Sequence, residues 1–203
     1  EVGLKNVTVL PNFKNINIIN KENMNYPCDE PYKLCTFSRV MKEKGIEELF
    51  YAVRRLKEEN EDFVLDLAGF FEDIYKKQVE ELEQLGIAHF YGFQSDPRPF
   101  YTEADCVVLP SYHEGMSNVL LEAAATGRPV ITSNIPGCRE SVENGKSGLL
   151  VEAKNKEMLY QAMKKMLHCS REERAKMGKA GREKMKREFR KEAVVERTVR
   201  SLE

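Results

Sequence analysis

The chain has 203 residues, 41% apolar and 32% charged, with a formal net charge of -1; this is the composition of a globular domain that buries a core without staples. No apolar run approaches the roughly 20 residues needed to span a bilayer, and no basic stretch followed by an apolar one opens the chain, so neither a membrane-crossing nor a secreted protein is expected. Cys28, Cys35, Cys106, Cys138 and Cys169 are odd in number and widely spaced, without a C-x-x-C pair, which predicts reduced thiols in a cytoplasmic protein and no zinc or disulfide framework.

The chain opens with a short strand pattern at Val7 to Leu10. The stretch from Pro11 to Pro31 is rich in Asn and Pro and has no periodicity, so residues 1–32 read as a strand and linker ahead of a domain over residues 33–203. From there apolar, β-branched or aromatic runs alternate with helical patterns. Strands are predicted at Lys33 to Ser38, Phe63 to Ala68, His89 to Tyr91, Cys106 to Leu109, Pro129 to Thr132 and Gly148 to Val151. Helices are predicted at Gly45 to Glu58, Ile74 to Leu85, Pro97 to Glu103, Ser117 to Thr126, Pro136 to Glu143, Lys156 to His168, and from Arg171 to the end. This alternation predicts an α/β domain: a Rossmann-like, doubly wound parallel sheet of about six strands with helices on both faces.

Charge is uneven along the chain. From Lys164 to Glu203 there are 14 Lys and Arg against 7 acidic residues. Such a tail is usually a solvated helix face, and a peripheral contact with an anionic membrane surface is the alternative; nucleic acid is not expected.

In a doubly wound sheet the ligand sits beyond the carboxyl ends of the strands where the strand order reverses, commonly at the first and fourth strands. The first strand runs out at Phe37-Ser38-Arg39, followed by Lys42, Lys44 and Gly45; the fourth runs out at Leu109-Pro110-Ser111, followed by Tyr112, His113, Glu114 and Gly115. Cations and a carboxylate would face one crevice. The segment Gly115-Met116-Ser117-Asn118-Val119 turns into a helix, whose first N–H groups and positive dipole end make a seat for phosphate. Arg39 and Lys44 could neutralise a diphosphate from the other wall. Five residues of helix rise about 7.5 Å, which brings Glu122 within reach of a ribose. Taken singly, Arg39 and Lys44 could be surface charges, Gly115 a plain turn and Ser117 an ordinary cap. Glu122 lies in the apolar stretch Val119 to Ala125, where a carboxylate needs a partner.

The stretch Ser111 to Ala123, with Glu114 and Glu122 eight apart, resembles the E-x7-E signature of the retaining GT-B glycosyltransferases of family 4 or group 1. Arg39 through Lys44-Gly45 is similar to the family's G-R-x-x-x-x-K-G segment, with Ser38 in place of Gly. Met116-Ser117-Asn118-Val119 stands where the family often has Phe-Gly-Leu-Pro. The matching motifs cover roughly residues 33–152. The resemblance implies that Arg39 and Lys44 hold the donor diphosphate, that Glu114 meets the transferred sugar and that Glu122 binds the ribose hydroxyls. It implies further that Gly115 to Val119 supply phosphate-facing amides, that Gly69-Phe70 lines the donor pocket and that Tyr91 to Phe93 form the base-binding loop. Val7 to Asn12 resembles the crossover between the family's two domains, and the amino-terminal, acceptor-holding domain would lie outside this chain. The implied activity is hexosyl transfer from a nucleoside-diphosphate sugar, UDP-sugar favoured, to a glycan or lipid-linked acceptor in polysaccharide biosynthesis. No D-x-D pair occurs in the chain, and no metal or other cofactor is expected. The fragment alone is expected to be inactive. A nucleotide-sugar epimerase of the same architecture and a non-catalytic nucleotide-binding module are the alternatives.

Overall fold

A computed structural model describes residues 31–200. The strand expected at Val7 to Leu10, the linker before Pro31, and Cys28 lie outside the described residues. The sheet has six parallel strands in the order β3-β2-β1-β4-β5-β6: β1 Tyr32–Phe37, β2 Phe63–Ala68, β3 Ala88–Phe90, β4 Cys106–Leu109, β5 Val130–Ser133 and β6 Gly148–Val151. The helices are α1 Ile46–Glu58, α2 Lys76–Gln84, α3 Arg98–Glu103, α4 Asn118–Ala125, α5 Lys156–Leu167, α6 Arg171–Glu188 and α7 Lys191–Arg200. All six residues of β2 and all four of β4 and β5 are buried, as befits strands covered on both faces.

Alternation along β1 divides the core. Leu34 joins Ile46, Leu49, Phe50, Val53 and Leu56 of α1 and Leu159, Met163 and Met166 of α5. Cys35, one residue on, points the other way, to Tyr101 of α3 and Leu120 and Ala123 of α4. A third cluster joins Leu121, Ala124 and Ala125 of α4 to Met185 and Phe189 at the end of α6.

Two helical expectations are corrected. Pro136 to Glu143 is not an α-helix but a single 3-10 turn, Arg139–Ser141. Gly137 has φ +85, outside helical geometry, and its N–H is taken by Glu140 Oε2 at 2.8 Å. The helix from Arg171 onward is two helices, because Phe189 leaves helical geometry with φ -122 and turns into the third cluster. Much of the basic charge after Lys164 is paired within the domain: Lys164 with Glu59, Lys184 with Glu188, and Arg187 with Glu143 and Glu188. Arg182 donates to the Ala125 carbonyl. No helix among the described residues is long and apolar enough to cross a membrane.

Candidate functional site

The strand order reverses between β1 and β4, which pair with Leu34 beside Cys106 and Cys35 beside Val107. Beyond their carboxyl ends the two following loops are laced together. Tyr112 N–H donates to the Glu43 carbonyl at 2.8 Å. Gly45, at φ +70, lies so close to Pro110 that a Cβ there would overlap its carbonyl oxygen; only glycine permits that approach. The lacing brings Lys44 across to Glu114, with Nζ 2.6 Å from Oε1 and the two side chains 20% and 14% exposed. The buried Ser111 hydroxyl donates to the same oxygen at 2.8 Å. One carboxylate oxygen thus holds a cation from the β1 loop and a hydroxyl from the β4 end. Arg39, on the β1 side, is exposed.

The segment Gly115 to Val119 forms the entry to α4. Ser117 is its N-cap, the hydroxyl accepting from Leu120 N–H at 3.5 Å, and the Ser117 N–H donates to the Gly137 carbonyl at 3.0 Å. Ser117 is therefore engaged locally. No hydrogen bond from the N–H of Gly115, Met116, Asn118 or Val119 occurs among the described residues, so these four amides are the ones available to an anion.

Glu122 lies in the second turn of α4 and is half-buried. Tyr101 of α3, itself fully buried, donates its hydroxyl to Glu122 Oε2 at 3.2 Å. Burial, followed by the Glu122 charge, raises the Tyr101 phenol well above its ordinary range, so it stays a donor. Cys138, buried nearby, has its thiol pushed up to about 11 by burial, and a thiol in that state is no nucleophile at neutral pH.

At the β2 and β3 ends, Gly69 N–H donates to the Gly92 carbonyl at 2.8 Å. Phe70 and Phe93 stack on each other with centroids 4.8 Å apart and planes 11° apart, each about 60% exposed. The Tyr91 ring meets Phe100 edge-on with centroids 5.0 Å apart, and burial followed by the Asp66 charge raises its phenol above the ordinary range. The structure therefore brings Lys44, Glu114 and the α4 entry together at the switch point, and sets Phe70 and Phe93 as an aromatic pair on the β2–β3 side. Two residues of the arrangement escape a reading of the sequence: Ser111 and Tyr101. Ser111 was reachable from its place at the end of β4, whereas Tyr101 meets Glu122 across 21 positions with no local signal.

The glycosyl transferases group 1 family matches residues 20–184 of the chain. A lipopolysaccharide core biosynthesis glycosyltransferase of Rhizobium meliloti is 28% identical over 197 residues, which is 95% of this chain and 56% of that protein. An N-acetylgalactosaminyltransferase of Campylobacter jejuni, acting on N,N'-diacetylbacillosaminyl-diphospho-undecaprenol, is 30% identical over 76% of this chain and 38% of its own length. Among solved structures, sucrose-phosphate synthase of Thermosynechococcus elongatus superposes with a TM-score of 0.79 at 26% identity, covering 94% of this chain and 50% of that one. HepE of Anabaena, crystallised with UDP, shares the fold with a TM-score of 0.79 at 20% identity, over 96% of this chain and 57% of its own. The chain spans between 38% and 57% of the length of these relatives. With its sheet order, its switch-point carboxylate and a family match over most of its length, the chain belongs to the group 1 glycosyl transferases.

Proposed function

We propose that this chain is the donor-binding domain of a retaining glycosyltransferase that moves a sugar from a nucleoside diphosphate, UDP favoured, to a glycan or lipid-linked acceptor in polysaccharide biosynthesis. The observation that carries the proposal is the Lys44–Glu114 pair set beside the open amides at the α4 entry. In this reading the diphosphate rests on the amides of Asn118 and Val119, with Arg39 and Lys44 as counter-charges for the leaving group. Glu114, tied to Lys44 and Ser111, faces the transferred sugar, while Glu122 accepts the ribose hydroxyls. Tyr91 and Phe93, both exposed, offer the base apolar faces. HepE is a relative by fold that binds UDP, which supports the choice of nucleotide. The acceptor site belongs to the part of the relatives' length that this chain does not span.

A thermal-shift panel of UDP, GDP, ADP and their sugars tests the site. A nucleotide at about 100-fold excess over its dissociation constant adds about 2.7 kcal/mol by linkage, or roughly 5–10 °C for a chain of this size. Glu122→Ala is expected to weaken UDP by about one to two powers of ten, the loss of charge-assisted bonds to two hydroxyls. Stabilisation by no nucleotide at millimolar concentration would refute the site.

A further inference from the structure

The Tyr101 hydroxyl is not needed to fill its pocket. The ring is fully buried between the sheet and α4, with the Phe37 ring edge-on at 6.1 Å, and a phenylalanine would pack there as well. What the hydroxyl adds is its bond to Glu122 Oε2. The backbone that carries it is held with unusual care. α3 is six residues long, so its closing carbonyls have no helical partners of their own. Arg128, 1% exposed, supplies them: Nε donates to the Tyr101 carbonyl at 2.8 Å and a terminal nitrogen to the Thr102 carbonyl at 2.6 Å. Burying a guanidinium is costly unless its donors are met by such well-directed acceptors.

The arginine is aimed by the same helix that carries Glu122. α4 ends in a Schellman motif, with Gly127 N–H bonded to the Ala124 carbonyl and Arg128 N–H to the Ala123 carbonyl, and Gly127 in the left-handed conformation at φ +79. The path from Glu122 along α4, through Gly127 to Arg128, across to α3 and back through Tyr101 is a closed ring. A carboxylate on a flexible side chain turns freely about its last torsion. A fixed donor on one oxygen sets its plane.

We propose that Tyr101 is a positioning residue for Glu122, orienting that carboxylate for a vicinal diol, and that Arg128 fixes Tyr101 for the task. The inference rests on the reading of Glu122 as the ribose acceptor. The test compares binding of UDP and 2′,3′-dideoxy-UDP to the full 203-residue chain by calorimetry, for wild type, Tyr101→Phe, Glu122→Ala and the double variant. Wild type is expected to prefer UDP by at least about tenfold. Tyr101→Phe should cut that preference about fivefold, the worth of one net hydrogen bond, with the dideoxy affinity unchanged. In the Glu122→Ala background the same change should alter nothing further, since the two act through one contact.

Equal losses for both ligands, the mark of a general packing defect, would overturn the proposal. So would an unchanged preference in Tyr101→Phe, which would leave the donor site itself standing. A wild-type chain that binds both ligands alike would instead overturn the ribose role of Glu122, and binding of neither would overturn the nucleotide site.

Discussion

Lys44 and Glu114 come from loops 70 positions apart and meet at 2.6 Å, so neither can be assigned a role without the other. An ammonium has three donors, and Lys44 can keep Glu114 while a second hydrogen turns to a phosphate. It would then couple the carboxylate at the sugar to the charge on the leaving group. The competing carboxylate also draws on the same cation. Glu114→Gln, isosteric and neutral, is therefore expected to leave UDP affinity unchanged or raise it a few-fold, while abolishing transfer in the proposed two-domain enzyme, as a group acting mainly on the transition state does. Lys44→Ala should weaken UDP by about tenfold or more, because it removes a counter-charge from a site that is only one-fifth exposed. Isothermal titration of the two variants separates these expectations, and a Glu114→Gln variant with normal turnover would remove Glu114 from the mechanism. The sequence shows that Glu122, among alanines and leucines, needs a partner; it does not show which, because Tyr101 reaches it through tertiary packing.

Among the described residues the helices and strands were legible from periodicity to within a residue or two, with the failures where glycine or a buried aromatic overrides local pattern. Pro136 to Glu143 has the composition of a short helix, yet Gly137 must cross beneath the α4 entry, where its carbonyl receives the Ser117 N–H. A Cβ at Gly137 would overlap the Gly115 carbonyl oxygen. Gly137→Ala is thus expected to cost more than about 2 kcal/mol, from a positive φ and a backbone overlap together, and to weaken nucleotide binding by displacing the α4 entry. Denaturant midpoints and UDP titrations check both effects. On the opposite face α1 and α5 are joined where Glu59 accepts from Lys164 at 2.6 Å and from the Tyr160 hydroxyl. Lys164 first and Tyr160 second lower the Glu59 carboxyl below its ordinary 4.5. A depressed carboxyl stabilises the fold above its unfolded value and loses that contribution as pH falls through the folded one. The gap in thermal midpoint between wild type and Glu59→Gln should accordingly be present at pH 7 and close as the pH drops below about 4. An equal gap at pH 7 and pH 3 would show that the charge of Glu59 does not matter.

At the scale of the whole molecule the proposed donor-binding groups Arg39, Lys44, Glu114 and Glu122 all follow the carboxyl ends of β1 and β4, the central strands of the sheet, with both cations on the β1 side. Among the described residues no group of three or more His, Cys, Asp or Glu is placed to hold a metal ion. With two basic side chains and the α4 dipole to meet the diphosphate, UDP binding is expected to be insensitive to chelation; a dissociation constant about tenfold worse in EDTA would assign part of the neutralisation to a divalent cation. Binding and transfer should nevertheless come apart. Transfer needs the acceptor oxygen held near the anomeric carbon, and that positional restraint supplies several kcal/mol of a typical enzymatic rate gain. The relatives carry roughly as much chain again as the part matched here, and the proposal places the acceptor there. The 203-residue chain is therefore expected to bind UDP and UDP-sugars with similar affinity in the presence or absence of acceptor, and to release UDP from a UDP-sugar no faster than buffer does. In the proposed two-domain enzyme, the same assay with a lipid-linked acceptor should show UDP release that depends on Glu114. Glycosylation of an acceptor by this chain alone would mean that one Rossmann-like unit holds both substrates, and the two-part division of the cleft would have to be abandoned.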